Sequence, residues 1–231
     1  MEVIRTSMRE QAKEVILRRI ADGTLQPGQR IVEGDLTRDL QVSNIPVREA
    51  IRELTAIGVL ASAHHKGAWV RVISVVETID ALHVKAALEP KAVLLAGDRL
   101  QQRSRELRES IAGIVAAAQR QDFTAYQEYN QRFHRTIVEA SGNRLLIKLW
   151  ESLAFEIRTS FIMTYISEQD PVAIAKEHTH IADAIEAGDY QEAASLLARH
   201  ADSLVAYLEQ QLGQEKGLGE DSEICTAFYG V

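Results

Sequence analysis

Asn130 and His134 stand four residues apart in YNQRFHRTIVEASGN, a spacing that puts both side chains on one face of a helix. His178 follows in KEHTHI, and His200 comes 22 residues later. Three imidazoles and an amide oxygen, brought together from three helices, can surround a divalent ion and leave coordination positions open for a ligand. The same spacing suits histidines that are solvated or packed in a core, so spacing alone leaves both readings standing. His180, two residues from His178, points away on a helix and reads as solvated. His83 either lines a cavity or fills space.

A second set of residues is built for anions. VSNIPVREAIRELTAIGVL, from Val42 to Leu60, has the apolar rhythm of a helix that begins at Ser43, whose hydroxyl suits an N-cap, with Pro46 placed where a missing N–H costs little. Val47, Ala50, Ile51, Leu54 and Ile57 form one stripe, whereas Arg48, Arg52 and Thr55 share another face. Arg48 sits near the positive end of the helix dipole, where a carboxylate is normally preferred, and an anion docked there would account for it. Phosphate is the obvious candidate. The plainer alternative is a solvated helix on which Glu49 and Glu53 balance the arginines.

These residues need elements to position them. Ser7 with Glu10 is a capping box opening a helix over Met8–Ala21, Leu25–Ile31 is a turn around Pro27-Gly28, and a short helix covers Glu33–Leu40. Only Gln41 and Val42 separate it from the helix at Ser43, which makes a helix-turn-helix. After Gly58, two short extended runs flank His65-Lys66-Gly67 and predict a hairpin, a wing. From Ser74 the pattern is helical throughout. Ser74 with Glu77 opens a helix to Arg99 with a kink expected at Pro90, followed by helices over Arg103–Arg120, Thr124–Ala140, Arg144–Thr164, Pro171–Ala187 and Tyr190–Leu212. Phe133, Ile137, Leu149, Trp150, Phe155 and Phe161 recur at helical spacing and read as core.

The expected architecture is therefore mainly α. A winged helix-turn-helix of three helices and a small β-hairpin occupies residues 1–73, an all-α bundle 74–212 and a flexible tail 213–231. At 231 residues, with 46% hydrophobic and 26% charged, the chain has an ordinary soluble composition. It has no run of about 18 apolar residues, and MEVIRTSMREQ lacks the apolar core of a signal peptide, so a cytoplasmic protein with no membrane partner is expected. Its single cysteine, Cys225, falls in the tail and is assigned no role. Residues 1–72 carry 11 Lys/Arg against 9 Asp/Glu, while residues 73–231 carry 15 against 24. A mildly basic module joined to an acidic one is compatible with nucleic-acid binding despite the net charge of −7. There is neither a Gly-rich phosphate loop nor a nucleophile triad signature.

LQPGQRIVEGDLTRDLQVSNIPVREAIRELTAIGVL followed by HKGAWV resembles the winged helix-turn-helix of GntR-type bacterial transcription regulators, and the helical remainder resembles the FCD effector domain of the FadR subfamily. The resemblance spans residues 7 to 212, and its most specific piece is Ser43 to Ala50. It implies a homodimer on a palindromic double-stranded DNA operator, with the recognition helix in the major groove and the wing reaching the minor groove. The DNA-facing set would be Ser43, Asn44, Arg48 and Arg52 with His65, Lys66 and Gly67 of the wing. Asn44 stands where many members have arginine, and Gly34 stands at another basic contact position, so the operator sequence does not transfer. For the bundle the resemblance implies a divalent metal of the zinc, nickel or manganese class, held by Asn130, His134, His178 and His200, with asparagine replacing the commoner aspartate. It also implies a small carboxylate effector met by Lys85, Tyr126 and Arg158, with Tyr129 within reach. Lys85 replaces a frequent arginine; its alternative is an i, i+4 pair with Glu89 on a wet surface. The function this implies is a ligand-responsive regulator, commonly a repressor. A metal-dependent hydrolase and a regulator that senses the metal directly are the alternatives.

Overall fold

The structure is a computed structural model that describes residues 7–155, 158, 159, 162 and 171–217, divided into two compact units at Val72 and Ile73. In the first, α1 (Met8–Ala21) is capped by the Ser7 hydroxyl, which accepts the Glu10 amide. The short α2 (Glu33–Leu40) ends with Gln41 in the left-handed conformation, φ 54°, and α3 (Asn44–Ala56) follows at once. Val47, Ala50, Ile51 and Leu54 are buried with Ala12 and Ile16 of α1 and Leu36 of α2, while Ile57 is only half-buried. That shared core fixes the angle at which α3 presents its polar face.

The wing has one strand more than the sequence suggested. β2 (Leu60–Ala63) and β3 (Gly67–Val70) form the expected hairpin, but β1 (Arg30–Ile31) pairs antiparallel with the far edge of β3, giving the order β1-β3-β2. Gly28, at φ +79°, lets the chain turn so that its amide donates to Val70 O (2.8 Å) while Gln29 O accepts the Val70 amide (2.9 Å). Two residues are too short a run to show alternation in sequence.

The second unit is all helical: α4 (Val75–Ala96), α5 (Asp98–Gln101), α6 (Ser104–Gln119), α7 (Phe123–Ala140), α8 (Arg144–Glu151), α9 (Pro171–Glu186) and α10 (Tyr190–Gly217). Ser74 and Glu77 make the expected capping box. α4 continues through Pro90 but stops at Gly97, short of Arg99. The helix expected from Arg144 to Thr164 is interrupted: α8 ends at Glu151, and Ala154 takes φ 51° before Phe155, Arg158, Thr159 and Ile162 resume helical geometry. Leu146 and Trp150 face inward on α8 while Leu145 and Leu149 are exposed, so Leu149 is not core. Phe133, Ile137, Trp150 and Phe155 are; Phe161 and Cys225 lie outside the described residues. α10 runs to Gly217, past the expected start of a tail at 213, and residues 218–231 are not described. Among the described residues no helix is long and apolar enough to cross a membrane.

Candidate functional site

α4, α7, α9 and α10 pack around a buried polar cluster. His134 of α7, His178 of α9 and His200 of α10 bring one ring nitrogen each within 4.8 Å of one another, and all three are buried. Each ring also has an oxygen beside its Nδ1: Glu89 Oε2 at 3.0 Å for His134, the Ala175 carbonyl at 3.2 Å for His178 and Glu177 Oε2 at 2.6 Å for His200. An Nδ1–H donated outward would leave Nε2 to face a metal, the pattern by which second partners orient metal-binding histidines; in His134 that Nε2 lies 3.4 Å from Lys85 Nζ. The Nε2 of His178 is the one buried side-chain polar atom without a hydrogen-bond partner among the described residues. A buried acceptor without a partner costs stability. A cation at the centre of the three rings would satisfy it, so the residues present fit a metal.

Burial also holds the rings of His134 and His178 neutral, the form a metal requires. It pushes His134 down to about 4, against the attraction of Glu89. His178 is depressed well below the ordinary range by the same burial, reinforced by His200, His134 and Lys85.

The hub beside the rings is Glu89, only 1% exposed. It accepts from Lys85 Nζ (2.8 Å) and from Trp150 Nε1 (2.8 Å), besides facing His134. Burial alone would raise its carboxyl, but His134 and Lys85 outweigh that and hold it well below the usual carboxylate range. The Lys85–Glu89 pair is thus the i, i+4 pair of the sequence reading, yet buried rather than wet, and Lys85 Nζ also lies 3.0 Å from His134 Nδ1. Lys85, Tyr126, Asn130, His134 and His200 line one cavity with Thr159. Burial, with the nearby Glu177 carboxylate, raises the Tyr126 hydroxyl above its ordinary range. Arg158 is placed differently: its guanidinium donates to Leu153 O (2.8 Å) and Glu77 O (3.2 Å), tying the helix interruption after α8 to α4. Tyr129 packs against the core at Gly113, where an added Cβ would stand 2.3 Å from its ring. His83 and His180 are exposed.

On the first unit, Ser43 occupies the N-cap position but its hydroxyl makes no capping bond, and Ser43, Asn44, Arg48 and Arg52 are all exposed. The intrahelical balance of charges is not what forms. Glu53 pairs with Arg9 of α1 (2.9 Å), and Arg48 Nε donates to Glu33 Oε2 of α2 (2.7 Å) with its side chain still 62% exposed. The wing tip carries exposed His65, at φ +63°, with Lys66 and Gly67. Sequence reasoning passed over two neighbours of this surface, Glu33 and Arg30. Exposed Arg30 lies so close to Gly67 that a Cβ there would be 3.4 Å from its guanidinium nitrogens, and both residues line a cleft with Glu33. Only the β1–β3 pairing, invisible locally, brings them together.

Comparison with known proteins bears on both units. The model for "Bacterial regulatory proteins, gntR family" matches residues 8–70, and that for "FCD domain" matches residues 80–203. A Paenarthrobacter nicotinovorans protein described as "Probable D-xylose utilization operon transcriptional repressor" is 34% identical over 88% of each chain. Among solved structures, E. coli McbR/YncC superposes with a TM-score of 0.74 at 23% identity, covering 90% of this chain and 99% of that one. The metal-free FCD domain of TM0439 matches with a TM-score of 0.52 at 20% identity, covering 62% of this chain and 98% of that one.

Proposed function

We propose, from the premise that the chain belongs to the gntR family of bacterial regulatory proteins and carries an FCD domain, that it is a dimeric repressor whose grip on a palindromic operator is set by a divalent metal and a small carboxylate in its bundle. Members of the family are DNA-binding transcription regulators, and this chain is one of them rather than an enzyme, so the hydrolase alternative falls.

On the DNA side, Arg48, Arg52 and Asn44 of α3 meet the major groove, with Ser43 at its entry. His65, Lys66 and Gly67 of the wing, joined by Arg30, add contacts to the phosphate backbone. Such contacts supply affinity and salt dependence, and few side chains remain to read bases. A second protomer on a second half-site brings the contact number to what specific binding requires.

The observation that carries the bundle reading is the unpartnered Nε2 of His178, whose ring lies in one buried cluster with those of His134 and His200. Those three rings would hold the ion, with the Asn130 amide oxygen as a neutral fourth donor. A bound divalent ion supplies an electrophilic centre with open positions that an anionic oxygen can complete. Lys85 contributes a point charge that favours a carboxylate without fixing its plane, and the Tyr126 hydroxyl a hydrogen bond. A ligand changes DNA affinity only by binding the DNA-competent and incompetent arrangements unequally.

Thermal denaturation of metal-stripped protein tests this. Zinc, nickel or manganese is expected to raise the melting temperature, by about 3 kcal/mol of stability at a hundredfold excess over Kd. A panel of small carboxylates should add a further rise only when metal is present, with D-xylose, suggested by the name of the relative, as the neutral comparator. His134→Ala should abolish the metal-dependent rise. A His134→Ala protein that binds metal as wild type does would sink the assignment, and release of DNA by chelator alone would make the metal itself the signal.

A further inference from the structure

We propose that Glu33 is a positioning residue for Arg48, turning a general phosphate-binding cation into a reader of one guanine. The inference rests on the reading that α3 enters DNA. The Arg48 Nε donates to Glu33 Oε2 at 2.7 Å, across the helix-turn-helix from α3 to the first residue of α2. Both side chains are substantially exposed, 62% for Arg48 and 40% for Glu33, and a pair so placed contributes little to folding. What it supplies is orientation of the guanidinium.

The geometry of the fork supplies the explanation. A guanidinium has one N–H on Nε and four on the two Nη atoms. With Nε–H given to Glu33, the side-on approach to an acceptor is closed, and the end-on pair of Nη donors remains. Two parallel donors of this kind match the O6 and N7 acceptors of guanine in the major groove. Without a second anchor, a long arginine on an exposed helix start settles on the nearest phosphate, which carries no sequence information. The Glu33 carboxylate opposes that in a second way, since its own charge repels the phosphate backbone and weakens docking wherever no base edge rewards Arg48. Glu33 therefore lowers general affinity and raises discrimination.

Selection from a pool of random duplexes by the full-length protein, followed by anisotropy titrations at several salt concentrations, tests this with four chains: wild type, E33Q, E33A and R48K. Wild type is expected to select a guanine at one position in each half-site. E33A and R48K should each lose about tenfold of that preference, with E33A gaining affinity for unselected duplexes. E33Q keeps an amide oxygen able to accept from Nε, and should retain the preference while losing the electrostatic penalty. An E33A protein with the wild-type base preference at every position would overturn the inference. So would uniform tightening by E33A and E33Q with preference unchanged, which would make Glu33 a plain competitor of DNA. If wild type retained no duplex at all, the DNA reading itself would fail and take the inference with it. Circular dichroism on each variant confirms that α2 and α3 remain folded.

Discussion

Two of the molecule's cation–carboxylate pairs stand in opposite settings. Lys85–Glu89 in the bundle is buried, with side chains 6% and 1% exposed, and it is welded to His134 and Trp150. Arg48–Glu33 on the DNA-binding unit is exposed and makes one bond at 2.7 Å. Burial makes the first pair part of the fold, because removing one partner strands the others away from water. Exposure makes the second nearly neutral to folding stability. The buried pair is held by the fold, whereas the exposed pair can orient a surface cation without costing the fold anything.

The sharpest way to break the contrast is to remove the buried hub. Glu89→Ala leaves Lys85, the His134 Nδ1 and the Trp150 Nε1 without their acceptor, and should cost about 3–5 kcal/mol, lowering the bundle's melting temperature by about 10 °C. Metal uptake should fall with it, since His134 loses the group that orients it. Calorimetry showing a change of only a degree or two would mean that the network is wetter than its burial indicates.

Acid should act next most strongly, and on the bundle. His134 is held down to about 4 in the fold against an ordinary 6.5, and His178 is depressed too. The unfolded chain therefore binds more protons than the folded one across that window, and stability rises with pH there. The contribution is fully present above about 6.5 and is lost as the pH falls toward 4. Melting curves of metal-free protein at pH 7.5 and pH 5 should show a drop of several degrees; equal curves would contradict the burial of these rings.

At the exposed pair, Arg48→Ala should leave the melting temperature unchanged while abolishing operator retention in a gel shift. Unchanged retention would remove Arg48 from the interface. The two candidate sites were unevenly legible in the sequence. Arg48 and the histidines were legible because helical periodicity ties each to a face, and because the residue types themselves suggest the chemistry. Their partners were not. Glu89 reaches His134 across 45 residues, and Glu33 reaches Arg48 across 15. Neither separation follows a helical repeat. The third strand was hidden for the same reason, since a two-residue strand is defined by what it pairs with. The break at Ala154 was hidden because α8 and the residues after it share one apolar rhythm, and the left-handed turn between them carries no glycine to announce it.

The smallest expected effect on stability comes from adding charge rather than removing it. Gly34 lies in the first turn of α2 with nothing within 4 Å of an added Cβ and no positive φ, so an arginine fits there without strain. Replacing glycine inside a helix gains up to about 1 kcal/mol in propensity. A cation near a helix N-terminus loses about 0.3–1 kcal/mol against the dipole. The two nearly cancel, and the melting temperature should stay within a degree or two. DNA binding should respond instead, with Gly34→Arg tightening all duplexes severalfold and steepening the salt dependence by about one phosphate contact. Titrations that gave a steeper salt slope with an unchanged base preference would place residue 34 over the backbone. An unchanged slope would put α2 out of reach of the phosphates, and would leave Glu33 facing bases through Arg48 alone.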